Sequence, residues 1–135
     1  RPDRIIVGEV RSSETIDMLQ AMNTGHDGSI STAHANSTED MVSRLETMVL
    51  TGEKDIPIDT VKNMIKSSLD IFVHLSRMPD KSRKVVEISE VDKKYKDRVI
   101  LRKIFVYNYE KDSLERCLEF MDNKYKYIKA GYSYA

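Results

Sequence analysis

RPDRIIVGEVR, residues 1–11, is the stretch on which the reading of this chain turns. Three apolar β-branched residues, Ile5, Ile6 and Val7, run unbroken into Gly8, and Glu9 and Arg11 follow directly. A short continuous apolar run closed by glycine predicts a strand covered on both faces, as in a parallel sheet. Ligands of open α/β sheets lie beyond the carboxyl ends of the strands. The strand is then a rigid post, with the Glu9 carboxylate at its tip. A carboxylate there can hold Mg2+, directly or through water, because magnesium takes hard oxygen ligands and keeps several of its waters. On these residues alone a solvated strand end is the plainer alternative, and it stays open.

Outward from that stretch, Ser12 and Ser13 are candidate N-caps of a helix with Ile16, Leu19 and Met22 along one face. Gly25 is placed to end it in a left-handed cap. GHDGSISTAHANS, residues 25–37, reads as a loop with a short strand around Ile30 to Thr32. It carries His26 and His34, whose imidazoles can donate to a phosphate oxygen; taken singly, each also reads as a loop or cap residue. Ser37, with Asp40 three residues later, has the form of a capping box. It opens a helix with Val42, Leu45, Met48 and Val49 on one side. Ile58, Val61, Ile65 and Leu69 mark a third helix, and Ile71 to Leu75 predicts another buried strand. Strands and helices alternating this far predict an α/β layer fold.

From Met78 the texture changes. MPDKS is a turn, Val86 and Ile88 alternate with polar neighbours, and Ile104 and Val106 oppose Phe105, Tyr107 and Tyr109. The pattern predicts an antiparallel, half-exposed ribbon at the edge of the sheet. Leu114, Cys117, Leu118 and Met121 have helical spacing. Met22, Met48 and Met121 fall at helical core positions. His74, between Val73 and Leu75, reads as a structural histidine. Lysine and tyrosine interleave from Lys124 to Tyr134, which reads as a surface tail packed on a neighbouring lobe rather than a base-stacking platform.

The totals exclude several classes. The 135 residues fit one domain or a large part of one, with 40% hydrophobic and 33% charged residues. Lys+Arg and Asp+Glu each count 22, so no global basic excess recommends a nucleic-acid or membrane-surface role. With one cysteine, Cys117, no internal disulfide forms and a reducing compartment is expected. No apolar run is long enough to span a bilayer, and no CxxC or HExxH offers a zinc site. The start on Arg1 predicts a piece of something longer.

Taken together, IIVGEVRSSETIDMLQAMNTGHDGSISTAHANS, residues 5–37, resembles the central stretch of the secretion-superfamily ATPases of type II and type IV systems. It is most similar to the Tad/Flp pilus-assembly branch, the CpaF-like proteins. GEVR (8–11) matches the family's Walker B motif, with Glu9 in place of the usual aspartate. TGH (24–26) and STAHANS (31–37) match its two-histidine box. SRLETMVL (43–50) and LDIFVHLSRMPDKSRKVVEISEV (69–91) continue the likeness, which weakens beyond Val91. A P-loop, GxxxxGK[ST], is absent: the five glycines are Gly8, Gly25, Gly28, Gly52 and Gly131, and no Gly-Lys-Ser/Thr occurs. The family's Asp box is absent too, and both should lie upstream of Arg1.

The resemblance implies the C-terminal part of a RecA-like P-loop NTPase core over residues 1–91, and a β-ribbon and helix lobe over 92–135. It implies ATP and Mg2+ as cofactors of the longer protein. Glu9 would hold Mg2+, chiefly through water; Arg11 would fix Glu9; His34, and His26 less closely, would lie near the terminal phosphate. Arg44 and Arg77 are candidates for contact with an adjoining subunit. The implied assembly is a homohexamer in the cytoplasm, beneath an inner-membrane platform, driving assembly or export, with no nucleic acid expected. The isolated piece should bind ATP weakly, hydrolyse essentially none, and self-associate. Competing readings are a non-catalytic docking module of a secretion apparatus and a nucleic-acid-translocating ATPase domain.

Overall fold

The computed structural model describes residues 2–117 and 124–133. The chain divides into two compact units, Arg1–Leu69 with Lys93–Ile100, and Asp70–Asp92 with Leu101–Ala135. Among the described residues no helix is long and apolar enough to cross a membrane.

In the first unit, β1 (Ile6–Val7) pairs parallel with β2 (Ile30–Ser31), Ile6 opposite Ile30 and Val7 opposite Ser31. Three helices supply the core: α1 (Thr15–Met22), α2 (Thr38–Gly52) and α3 (Ile58–Ser68). Leu19, Val49, Val61 and Ile65 lose all contact with solvent. α2 starts as its sequence predicts. Ser37 is its N-cap, with extended backbone, and its hydroxyl accepts from the Asp40 amide at 3.0 Å. Met41, Val42, Leu45, Met48 and Val49 then bury one stripe at helical spacing. At the other end Gly52 meets Ser13 so closely that an added Cβ would sit 2.7 Å from the Ser13 Cβ.

Two expectations need correction here. The Ile5–Val7 run is not covered on both faces: Ile6 is 67% and Ile30 59% exposed. Among the described residues their sheet has two strands. Nor do Ser12 and Ser13 cap α1. The N-cap is Glu14, and Ser12 contributes its carbonyl, which accepts from the Thr15 amide and hydroxyl. Gly25 has the expected positive φ, +84°, two residues beyond the helix's C-cap Asn23.

The second unit is a four-stranded sheet in the order β3 (Ile71–Arg77), β4 (Arg83–Asp92), β5 (Ile100–Asn108), β6 (Ser113–Arg116). β3 and β4 are antiparallel, joined through the MPDKS turn, where Asp80 accepts from the Ser82 amide at 2.9 Å. β5 and β6 are also antiparallel. The expected ribbon is therefore a sheet of its own, and it begins earlier than expected. Ile71–Leu75 is not a buried parallel strand but an edge strand whose Ile71, Val73 and Leu75 stand exposed, while Phe72, His74 and Ser76 are half-buried. The expected helix through Leu114 and Cys117 is also corrected, because Ser113–Arg116 is a strand. Turn chemistry decides this. Asn108 Oδ1 accepts from the Glu110 and Lys111 amides, and Asp112 takes a positive φ of 51°, which turns the chain back along β5. Leu118 and Met121 lie outside the described residues. α4 (Lys124–Lys129) is exposed throughout, and Lys126 pairs with Asp70 at 2.7 Å.

Candidate functional site

The parallel pair continues, more loosely, past its last ladder residues. The Val10 amide donates to the Thr32 carbonyl at 3.0 Å, and the Thr32 hydroxyl donates to the Gly8 carbonyl at 2.5 Å. Thr32 thus grips the chain on both sides of Glu9. His34, two residues beyond Thr32, is brought onto the carboxylate: its Nε2 lies 2.9 Å from Glu9 Oε1. Arg11 approaches from the other side, Nη2 to Oε2 at 2.6 Å. The carboxyl ends of the two strands therefore carry one acid between a guanidinium and an imidazole.

The acid is the sheltered member. Its side chain is 23% exposed, against 76% for Arg11 and 84% for His34. The hydrogen bond from Arg11 holds the Glu9 carboxyl below the usual carboxylate range; desolvation opposes this, and His34 adds a smaller pull downward. Glu9 in turn raises the Arg11 guanidinium. Glu9 Oε1 is buried and accepts no well-formed hydrogen bond, so the nearby imidazole is an electrostatic neighbour that leaves a lone pair unused.

Glu14, absent from the sequence-derived site, sets the turn beneath it. Its Oε1 accepts from the Arg11 amide at 2.6 Å and the Ser12 amide at 3.1 Å, and these bonds lower its pKa. An acid at the start of a helix can reach back to unpaired amides in this way, but the same position in sequence also suits a solvated side chain.

His26 is not brought to this cluster. Its Nδ1 lies 3.0 Å from the Pro2 carbonyl, and its own carbonyl accepts from the Ser29 hydroxyl, which in turn accepts from the Ile5 amide. Those contacts sit at the amino end of the strands, opposite Glu9. Arg44 on α2 and Arg77 at the end of β3 are both exposed, the first in the first unit and the second in the second.

Among the described residues no group of three or more His, Cys, Asp or Glu side chains could hold a metal ion. A single carboxylate, 23% exposed at the strand tip, does fit magnesium that is held elsewhere and reaches Glu9 through a water. It does not fit a protein-made metal cage.

Comparison with known proteins adds an independent line. A family described as "Type II/IV secretion system protein" matches residues 1–126. A putative conjugal transfer protein of Mycobacterium tuberculosis is 36% identical over 89 residues, which covers 66% of this chain and 25% of that protein. The conjugal transfer protein TrbB of Rhizobium radiobacter is 35% identical over 92 residues, 68% of this chain and 27% of its own. Among solved structures, the VirB11 ATPase from the Brucella suis type IV secretion system, in complex with sulphate, superimposes with a TM-score of 0.60 at 29% identity. It covers 65% of this chain and 28% of that one. The chain spans about a quarter of the length of these two curated relatives.

Proposed function

This chain belongs to the type II/IV secretion system protein family, and from that membership we propose that it is the C-terminal part of a motor ATPase driving assembly or export across the bacterial envelope. One observation carries the reading: the Glu9 carboxylate, held between Arg11 and His34 past the carboxyl ends of β1 and β2. Phosphoryl transfer asks little covalent chemistry of a protein and much positioning and charge stabilisation.

The residues divide that work. Glu9 keeps a negative charge at the rim, and its carboxylate would hold Mg2+ through a water of the ion's shell. Mg2+ bound with ATP supplies the neutralisation of phosphate charge. Arg11 orients Glu9 and is not itself an arginine finger. His34 reports the terminal phosphate to the loop it stands on. His26 is assigned to the nucleotide by resemblance alone, and its bond to Pro2 supports a holding role at the far end of the same loop.

The proposed whole protein is a homohexamer at the cytoplasmic face of the inner membrane, under an assembly platform, with Arg44 and Arg77 exposed for subunit contact. By motif, the proposed motor core takes residues 1–91 and the accessory lobe 92–135, a division that differs from the two compact units of the fold. GEVR, TGH and STAHANS support the CpaF-like branch within the family.

A coupled phosphate-release assay with Mg2+ and ATP tests this. The longer protein turns over, and the 135-residue chain alone releases essentially no phosphate, because the principal donors to the developing charge are not among its residues. Turnover by the chain alone at the rate of an intact motor, or none by the longer protein, contradicts the proposal.

A further inference from the structure

Arg11 is held at both ends by an acid. Its guanidinium lies on the Glu9 carboxylate, Nη2 to Oε2 at 2.6 Å, and its amide donates to Glu14 Oε1, also at 2.6 Å. The same Glu14 oxygen accepts from the Ser12 amide at 3.1 Å. Residues 8–12 belong to no helix or strand, and neither amide meets another acceptor among the described residues. Without Glu14 both amides turn to water, and the Arg11 amide loses its anchor.

Glu14 stands on a firm base. It is the N-cap of α1, and its neighbour Thr15 is fully buried, with its hydroxyl donating to the Ser12 carbonyl at 2.7 Å. Ser13 packs against Gly52 at the end of α2. On the other side of Glu9, Thr32 grips the Gly8 carbonyl and the Val10 amide. The chain around Glu9 is therefore clamped twice, by Thr32 and then by Glu14. The second clamp matters because the Arg11 side chain is 76% exposed. An exposed ion pair between long side chains gains little, since holding both in one geometry costs rotamer entropy. Fixing the backbone from which the guanidinium springs removes part of that cost before the pair forms.

We propose that Glu14 is a positioning residue: as a hydrogen-bond acceptor it fixes the Arg11 backbone, and so keeps the guanidinium on Glu9. Acceptance, and not charge, is what the geometry asks of it, because its carboxylate takes two amides while the guanidinium goes to Glu9. A glutamine keeps the accepting oxygen and loses the charge, so the two contributions separate. The effect on turnover rests on the ATPase reading; the effect on Arg11 does not.

The ¹⁵N order parameter of the Arg11 Nε–H, measured by NMR relaxation on the 135-residue chain, tests the positioning. It should drop in Glu14→Ala to that of a freely moving side chain and stay near the unaltered value in Glu14→Gln, with the circular dichroism spectrum unchanged in both. Glu14→Ser suits the N-cap position but is too short to reach back, and it replaces the alanine variant if that one unfolds. In the longer protein, Glu14→Ala should lower kcat for phosphate release about tenfold or more and leave KM for ATP within about twofold, because misplacing a group at the rim slows the reaction more than it weakens binding. Glu14→Gln should restore most of the lost rate. An Arg11 order parameter already low in the unaltered chain, or unmoved by Glu14→Ala, overturns the proposal, as does unchanged turnover in an active longer protein. A glutamine variant that behaves as the alanine one overturns it too, since charge would then be the working property. No turnover by the unaltered longer protein would end the ATPase reading, and the Arg11 measurement alone would then decide the positioning.

Discussion

Glu9 is surrounded by groups that favour its ionised form, Arg11 foremost, and the sign of its titration follows from that. Its folded pKa lies below its unfolded one. The pairing therefore stabilises the fold at pH above the ordinary glutamate value, and that contribution is lost as pH falls through the depressed pKa. Arg11→Ala should move the Glu9 midpoint upward toward that of an unpaired glutamate, because the Arg11 hydrogen bond is the largest cause of its lowering. A ¹³C NMR titration of the side-chain carboxyl reads it directly, and an unmoved midpoint would assign the shift to something other than Arg11. The difference in stability between the two proteins should fade in acid, where Glu9 is protonated in both. The acid at the strand tip was legible in sequence, because an apolar run closed by Gly8 fixes where the chain emerges; the two histidines came from the family resemblance, and only His34 faces Glu9. Glu14 was not, since nothing in its spacing distinguishes a side chain that reaches back to Arg11 and Ser12 from a solvated one.

Elements with a period and a cap were readable in advance. α2 is the clearest case: the Ser37 hydroxyl stops one end and five buried residues follow at helical spacing. Ser37→Ala should cost about 1 kcal/mol of stability, measured by urea unfolding; a change within error would mean the Asp40 amide finds another acceptor. Segments whose period is ambiguous were misread. Leu114 and Cys117, three apart, fit a helix, yet Asn108 and Asp112 fold the chain into a hairpin before any helix can start. In β3 an apolar residue at every odd position and Phe72 between them resemble a continuous run, but the pairing with β4 leaves the odd residues in the open. His26 and His34 share one loop in sequence, and the short strand between them carries them to opposite ends of the pair.

On the scale of the whole molecule, the chain matches only about a quarter of the conjugal transfer relatives, and it exposes apolar side chains of the sort that proteins normally cover. Ile6 and Ile30 stand out from β1 and β2, and Ile71, Val73 and Leu75 from the edge strand β3. Open strand edges bearing such residues pair with other chains. Sedimentation velocity should therefore show association rising with concentration, and Val73→Lys should reduce it without altering the circular dichroism spectrum. A monomer at every concentration would contradict this. The same arithmetic explains why the α/β class could be read from 135 residues while the nucleotide cradle could not. The strand tip is local, whereas a phosphate pocket closes only over distant parts of a chain. The most direct measurement is made on the longer protein carrying Glu9→Gln, with nucleotide affinity and phosphate release followed side by side. The account predicts ATP bound about as tightly as before and release slowed by about a hundredfold or more. Release at the unaltered rate would contradict it.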